Sequence, residues 1–86
     1  MTTTLIPVVL WTQKNCGPCV GAARALKARG IPHIKIDVKY ADSARVANWR
    51  AQRLSTPIVE ADGRSYAGMD VDALDGLAVT HGAVKV

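Results

Sequence analysis

The sequence is poor in the features that build metal sites, membrane spans and disulfide frameworks. Its 86 residues include only two cysteines and two histidines. The apolar segment near the start of the sequence, residues 5–11, is interrupted by Pro7 and is far shorter than the roughly 20 residues that cross a bilayer. No positively charged side chain precedes this segment, whereas an export signal has a positively charged region before its apolar part. We therefore expect no export signal or membrane anchor, and a cytoplasmic location.

The sequence also lacks a cluster of basic residues. Its net charge is +4, but the 11 lysines and arginines are scattered from Lys14 to Lys85. Nucleic-acid-binding proteins concentrate positive charge on one face or along one helix. We therefore expect no nucleic-acid partner, whereas a mildly basic surface would steer an acidic protein partner on encounter.

Composition and length favour one compact domain. Hydrophobic residues make up 49% of the chain and charged residues 21%, which is typical of a globular protein. A chain this short can bury only one core. We predict a single domain over residues 1–86.

Four segments have the composition of β-strands, namely residues 8–11, 34–38, 57–61 and 64–67. The first is a continuous apolar run, as in a strand buried on both faces, and the second alternates apolar with charged residues. An Asp-Gly pair separates the third from the fourth and favours a two-residue hairpin turn, because both residues tolerate positive φ. The last two strands should therefore pair antiparallel.

Three helices are predicted around these strands. The first follows Gly17, is rich in alanine and ends at Gly30. The second can be capped by Asp42 or Ser43, and the third by Asp70, since each of these side chains can accept bonds from unpaired amides of the first turn.

The resulting order is β-α-β-α-β-β-α. Two strands joined by a helix are expected to be parallel with a right-handed crossover, and the hairpin extends the sheet with antiparallel pairing. A four-stranded mixed sheet with three helices is the thioredoxin-like architecture, an α/β fold.

The two cysteines form the motif Cys16-Gly17-Pro18-Cys19 between the first strand and the first helix. A bridge across so short a loop would add little stability, so the pair must serve chemistry or metal binding. At a helix N-terminus the unpaired amides and the helix dipole would lower the pKa of Cys16 below the free value of about 8.5. We predict that Cys16 is the nucleophile and Cys19, inside the first turn, the resolving thiol.

A zinc site is the alternative for the two thiols. Structural zinc normally takes four ligands in tetrahedral geometry. Only His33 and His81 remain as nitrogen donors, and both are predicted at helix ends distant from the cysteines. We expect no metal ligands in this chain.

The segment Ser55-Thr56-Pro57 precedes the third strand. Bonds to proline are where cis peptides chiefly occur, and a cis bond here would bring the backbone of Thr56 beside the cysteine loop, free to pair with an extended substrate. The alternative is a plain proline that opens a strand. The residues leave both possibilities open.

Together these motifs resemble a known family, the glutaredoxin-like NrdH redoxins. The resemblance rests on the cysteine motif after Trp11-Thr12, on Thr56-Pro57, and on Tyr66-Ala67-Gly68-Met69 before the last helix. It implies a thioredoxin fold, a monomer and no bound cofactor. It also implies that electrons pass from NADPH through thioredoxin reductase to ribonucleotide reductase or another cytoplasmic disulfide protein.

The resemblance further implies a substrate surface, formed by Thr56, Pro57, Tyr66, Gly68 and Met69. Thr56 and Pro57 would align the backbone of the partner. Apolar contacts at Tyr66, Gly68 and Met69 would distinguish partners, although Tyr66 and Met69 are equally well explained as core residues.

Two departures from related families bear on the electron source. Gly17-Pro18 is the pair found between the cysteines of thioredoxins, which favours a reducing enzyme. Glutaredoxins that use glutathione carry a basic residue three positions before the nucleophile, where this chain has Gln13, with Lys14 shifted by one. A glutathione-dependent glutaredoxin is therefore the second hypothesis, and a non-catalytic iron-sulfur or metal carrier using Cys16 is the third.

Overall fold

The computed structural model of the chain describes residues 8–81. Within this range the elements are β1 Val8–Thr12, α1 Gly17–Ala28, β2 His33–Asp37, α2 Ser43–Ala51, β3 Ile58–Ala61, β4 Arg64–Ala67 and α3 Val71–His81. One 3-10 turn, Val38–Tyr40, joins β2 to α2. The order of strands and α-helices is the predicted one.

The strands form one mixed sheet in the order β2-β1-β3-β4. β1 and β2 are parallel, and β3 runs antiparallel to both β1 and β4. The hairpin between β3 and β4 turns at Asp62 and Gly63, which both have positive φ. This is the thioredoxin-like arrangement that the sequence predicts.

The two faces of the sheet bury two apolar clusters. The cluster beneath α1 and α3 consists of Val8, Leu10, Ala22, Leu26, Ile31, Val59, Ala61, Leu74 and Leu77. The cluster beneath α2 is centred on Trp11, Trp49 and Ile58. The two tryptophan rings meet edge to face with their centroids 5.3 Å apart. Alternate residues of β1 and β3 thus contribute to opposite cores, because successive strand side chains point to opposite faces.

A charged group ties α2 to the sheet. Glu60 of β3 accepts hydrogen bonds from Trp11 Nε1 at 2.8 Å and from Arg45 Nε and Nη2 at 2.8 and 3.0 Å. Arg45 also reaches Asp42, which caps α2 by accepting from the Arg45 amide. The bonds from Arg45 hold the pKa of Glu60 below its usual value, more strongly than partial burial raises it.

β2 lies at the edge of the sheet and is only half covered. Its register pairs Lys35 with the fully buried Leu10, so Lys35 lies on the face that α1 and α3 cover. Ile34 and Ile36 lie on the opposite face, where Ile36 packs on the tryptophan cluster and Ile34 is 48% exposed. The predicted alternation of the two faces is therefore present. Ile34 is open to solvent because β2 is the edge strand, and not because its face of the sheet is polar.

No helix among the described residues is both long and apolar enough to cross a membrane.

Candidate active site at the start of helix α1

Cys16 lies at the N-cap of α1. Its backbone is extended, with φ −103° and ψ 96°, and its Sγ accepts a hydrogen bond from the Cys19 amide at 3.2 Å. Gly17 and Pro18 occupy the first two helical positions, where the missing N–H of proline costs no helical hydrogen bond. The predicted position of the motif at a helix N-terminus is confirmed.

The two cysteines differ in accessibility. They form a disulfide with their Cα atoms 5.3 Å apart. Cys19 is only 6% exposed, whereas Cys16 is partly exposed. An incoming disulfide would therefore meet Cys16 first.

The loop before β3 lies against the segment that leads to the cysteines. The Thr56–Pro57 peptide bond is cis, so this is not a plain strand-opening proline. The Thr56 hydroxyl donates to Gln13 Oε1 at 2.9 Å. The position that carries a basic residue in glutathione-using glutaredoxins is thus held by an uncharged amide bonded to Thr56.

Gly68 packs directly against Pro57. Its amide donates to the Pro57 carbonyl at 2.8 Å. A Cβ at residue 68 would lie 2.7 Å from the Cβ and Cγ atoms of the proline ring and 2.9 Å from the proline oxygen. Gly68 is itself buried, and it lies directly against Pro57. Its predicted contact with a partner stays a prediction.

Met69 and Tyr66 have different surroundings. Met69 is 55% exposed and lies along α1, with its methyl carbon 3.7 Å from the place a Cβ on Gly21 would occupy. Tyr66 is half-buried and packs on the core cluster beneath α1 and α3. Of the two, only Met69 exposes most of its surface to solvent.

A cavity of about 670 Å³ opens beside the disulfide. It is lined by Thr12, Gln13, Asn15, Cys16, Gly17, Cys19, Val20 and Lys35. Val20 and Lys35 were not predicted as site residues. Val20 could have been identified as a site residue from the sequence, because it is a large apolar residue one position after the motif. Lys35 could not, because only the β1–β2 pairing brings it here.

The described side chains include no group of three or more that could hold a metal ion. His33 Nδ1 lies 2.9 Å from the carbonyl oxygen of Ile31, within hydrogen-bonding distance. The side chain of His81 lies outside the described part of the chain. The described residues therefore do not assemble the zinc site considered as an alternative.

Comparison with solved structures fits this site and fold. The chain is 32% identical to the thioredoxin-like protein BC3987, over 81% of this chain and 97% of that one, with a TM-score of 0.61. It is 29% identical to NrdH-redoxin from Escherichia coli, a glutaredoxin-like protein with a thioredoxin-like activity profile, over 92% of this chain and all of that one, with a TM-score of 0.66. A buckwheat glutaredoxin bound to glutathione, 21% identical over 87% of this chain and 74% of its own with a TM-score of 0.61, shares the fold. No family model and no curated protein matches the sequence.

A redox-active Cys-X-X-Cys pair at a helix N-terminus of this fold defines a thiol-disulfide oxidoreductase. The chain belongs to the family of thioredoxin-like proteins, and its structural relatives include NrdH-redoxin.

Proposed function

We propose that the protein is a cytoplasmic dithiol electron donor. Thioredoxin reductase would reduce it with electrons from NADPH, and it would reduce ribonucleotide reductase or another protein disulfide. The observation that carries this proposal is the N-cap position of Cys16, with the Cys19 amide 3.2 Å from its Sγ. In the reduced protein this amide would stabilise the Cys16 thiolate, which is the attacking species in disulfide exchange.

The proposed cycle transfers two electrons. The Cys16 thiolate attacks one sulfur of the target disulfide; that S–S bond breaks as a Cys16–target bond forms, and the other target sulfur leaves as a thiolate and takes up a proton. The Cys19 thiolate then attacks Cys16 Sγ and releases the first target sulfur, again as a thiolate. The pair ends as the Cys16–Cys19 disulfide, ready for the reductase.

The surroundings of Gln13 support a flavoprotein reductase over glutathione as the electron source. At the Gln13 position, a basic side chain would recognise a glutathione carboxylate best, since charge-assisted hydrogen bonds are the strong ones. Gln13 is uncharged and its Oε1 already accepts from Thr56. Lys14 is exposed and one position removed.

The electron source can be tested directly. The oxidised protein would be supplied with NADPH and either thioredoxin reductase or glutathione plus glutathione reductase, with ribonucleotide reductase as acceptor and Cys16→Ser as the inactive control. We expect NADPH oxidation and deoxyribonucleotide formation with thioredoxin reductase. Activity only with glutathione would contradict the proposal, and a coloured protein containing stoichiometric iron would favour a carrier.

A further inference from the structure

A second cavity, of about 560 Å³, lies between α1 and β2. We call it the basic groove and define it by Val20, Ala23, Arg24, Lys27, Pro32 and Lys35. Val20 and Lys35 also line the cavity beside Cys16. The basic groove is therefore continuous with the active site.

The groove follows from the local structure of its two walls. Val20, Ala23, Arg24 and Lys27 are spaced at i, i+3, i+4 and i+7, so they share one face of α1. Lys35 lies on the α1 side of the sheet because β2 is parallel and in register with β1. Since β2 is the edge strand of the sheet formed by residues 8–81, no strand in that range lies beyond it to close the groove.

The charge of this groove is uncompensated. Arg24, Lys27 and Lys35 are exposed, and none of the residues lining the groove or the Cys16 cavity is acidic. Within the described part of the chain no ion pair engages these three cations. Arg29 and Arg45, by contrast, are each paired with carboxylates.

We propose that the basic groove binds an acidic, extended segment of the target protein beside the disulfide that Cys16 attacks. This inference rests on the proposed function and specifies its substrate. The helix wall from Val20 to Lys27 is about 10 Å long, which matches roughly three extended residues. The three cations would meet the carboxylates of such a segment and raise its rate of encounter with the site.

The walls favour a peptide over a nucleic acid. Val20 is 56% exposed and, with Ala23 and Pro32, gives the groove an aliphatic side that suits an apolar residue among the acidic ones. The lining includes no phenylalanine, tyrosine or tryptophan, and its one ring that could stack a base is His33, whose Nδ1 lies 2.9 Å from the Ile31 carbonyl oxygen. Sites for single-stranded nucleic acid instead stack successive bases on several aromatic rings.

The test compares two disulfide-linked peptides, one with glutamates and a leucine beside the disulfide and one with serines there. The double variant Arg24→Gln/Lys27→Gln removes two charges from the groove. Its matched control, Arg53→Gln/Arg64→Gln, removes two exposed charges that line neither cavity. Hydroxyethyl disulfide serves as a small neutral substrate for all three proteins.

We expect the groove variant to lose about three- to tenfold in kcat/KM for the acidic peptide at low salt, as the loss of two exposed charge pairs predicts. The loss should shrink as salt screens the charges. The rates for the serine peptide and hydroxyethyl disulfide should stay unchanged, and the control variant should keep the preference for the acidic peptide. In the wild-type protein, a cysteine-free acidic peptide should shift the amide resonances of Arg24, Lys27 and Lys35.

The experiment gives different results if the groove does not bind acidic segments and if the protein is not a disulfide reductase. A wild-type protein that reduces hydroxyethyl disulfide but reduces both peptides with the same kcat/KM would contradict the proposed role of the basic groove and leave the proposed function intact. Equal losses of kcat/KM in the two double variants would have the same meaning. Tighter binding of a single-stranded oligonucleotide than of the acidic peptide would also overturn it. A wild-type protein that reduces none of the disulfides would overturn the proposed function and the inference with it.

Discussion

At the scale of single residues, the two cysteines are distinguished by their positions in α1. Cys16 is partly exposed at the N-cap, and Cys19 is buried in the first turn. Replacing Cys19 with serine should leave the attack by Cys16 intact but remove the step that resolves the mixed disulfide. We expect Cys19→Ser to accumulate a covalent complex with its target on non-reducing gels and to lose multiple turnover.

Cys16→Ser is the matched control for that experiment. It should form no covalent complex, because the remaining thiol of Cys19 is only 6% exposed. Normal turnover of protein disulfides by Cys19→Ser, or trapping by Cys16→Ser, would reverse the assignment of the two roles.

Replacing Gly68 should disturb the packing around Pro57. A methyl group at this position would lie 2.7 Å from ring atoms of Pro57, and a closed ring cannot rotate away. We expect Gly68→Ala to lower the free energy of unfolding by about 1–3 kcal/mol, the usual cost of overpacking, measured by urea denaturation.

Gly76 of α3 offers the control for that change. A Cβ there would meet no atom within 4 Å. Because alanine favours a helix interior over glycine, Gly76→Ala should stabilise the protein by about 0.5–1 kcal/mol. Equal effects of the two substitutions would show that the contact with Pro57 is not what constrains residue 68.

At the scale of elements, the pairing of Glu60 with Arg45 links β3 to α2 and gives stability a defined pH dependence. The pKa of Glu60 is lowered in the folded protein. Its contribution is therefore complete above the ordinary carboxyl pKa of about 4.3 and is lost as the pH falls through the lowered value. We expect Glu60→Gln to cost about 1–2 kcal/mol at neutral pH, and the difference from wild type to narrow under acid.

The measurement is urea unfolding of both proteins from neutral to acidic pH. Asp75→Asn is the matched control, because it removes the pair with Arg29, in which the aspartate is 62% exposed. Such a pair contributes about 0–1 kcal/mol. A wild-type advantage over Glu60→Gln that stays constant down to strongly acidic pH would contradict the assignment.

Most elements were predictable because their signals are local. Asp42 was one of two candidate caps, and it accepts the Arg45 amide at 2.8 Å; Asp70 likewise accepts the Ala73 amide at 3.1 Å. The Asp-Gly turn depends only on the φ preferences of its own residues. The exposure of Ile34 was not predictable from its segment, because it depends on β2 being at the edge of the sheet.

At the scale of the whole molecule, stability depends on a small number of buried side chains. Leu10 is 0% exposed in the central strand β1 and belongs to the cluster beneath α1 and α3. Leu10→Ala should cost about 2–5 kcal/mol, a large part of the roughly 5–15 kcal/mol that stabilises a domain. We expect a thermal midpoint well below that of wild type.

Val79→Ala is the control for this substitution. Val79 is 86% exposed on α3, so its truncation should change the free energy of unfolding by less than about 0.5 kcal/mol. A midpoint for Leu10→Ala near that of the control would mean that the core around β1 repacks without loss.

The charge distribution also belongs to this scale. Along the chain the cations are scattered, and the sequence suggested only a mildly basic surface that would steer an acidic partner. Folding brings Arg24, Lys27 and Lys35 around one groove that opens beside Cys16. The proposed preference for acidic segments is thus a property of the assembled walls and not of any single stretch.

The sequence by itself determined the order of the elements, the thioredoxin-like sheet and the position of Cys16 at a helix N-terminus. These depend on hydrophobic periodicity, capping and turn residues, which act over a few neighbouring positions. The tertiary structure alone decided that Thr56–Pro57 is cis, that Thr56 bonds Gln13, and that Gly68 lies beneath Pro57. It also decided that Met69 and not Tyr66 lies mostly open to solvent, and that Lys35 lies beside the cysteines. Each of these depends on packing between segments far apart in the chain, which no local pattern can specify.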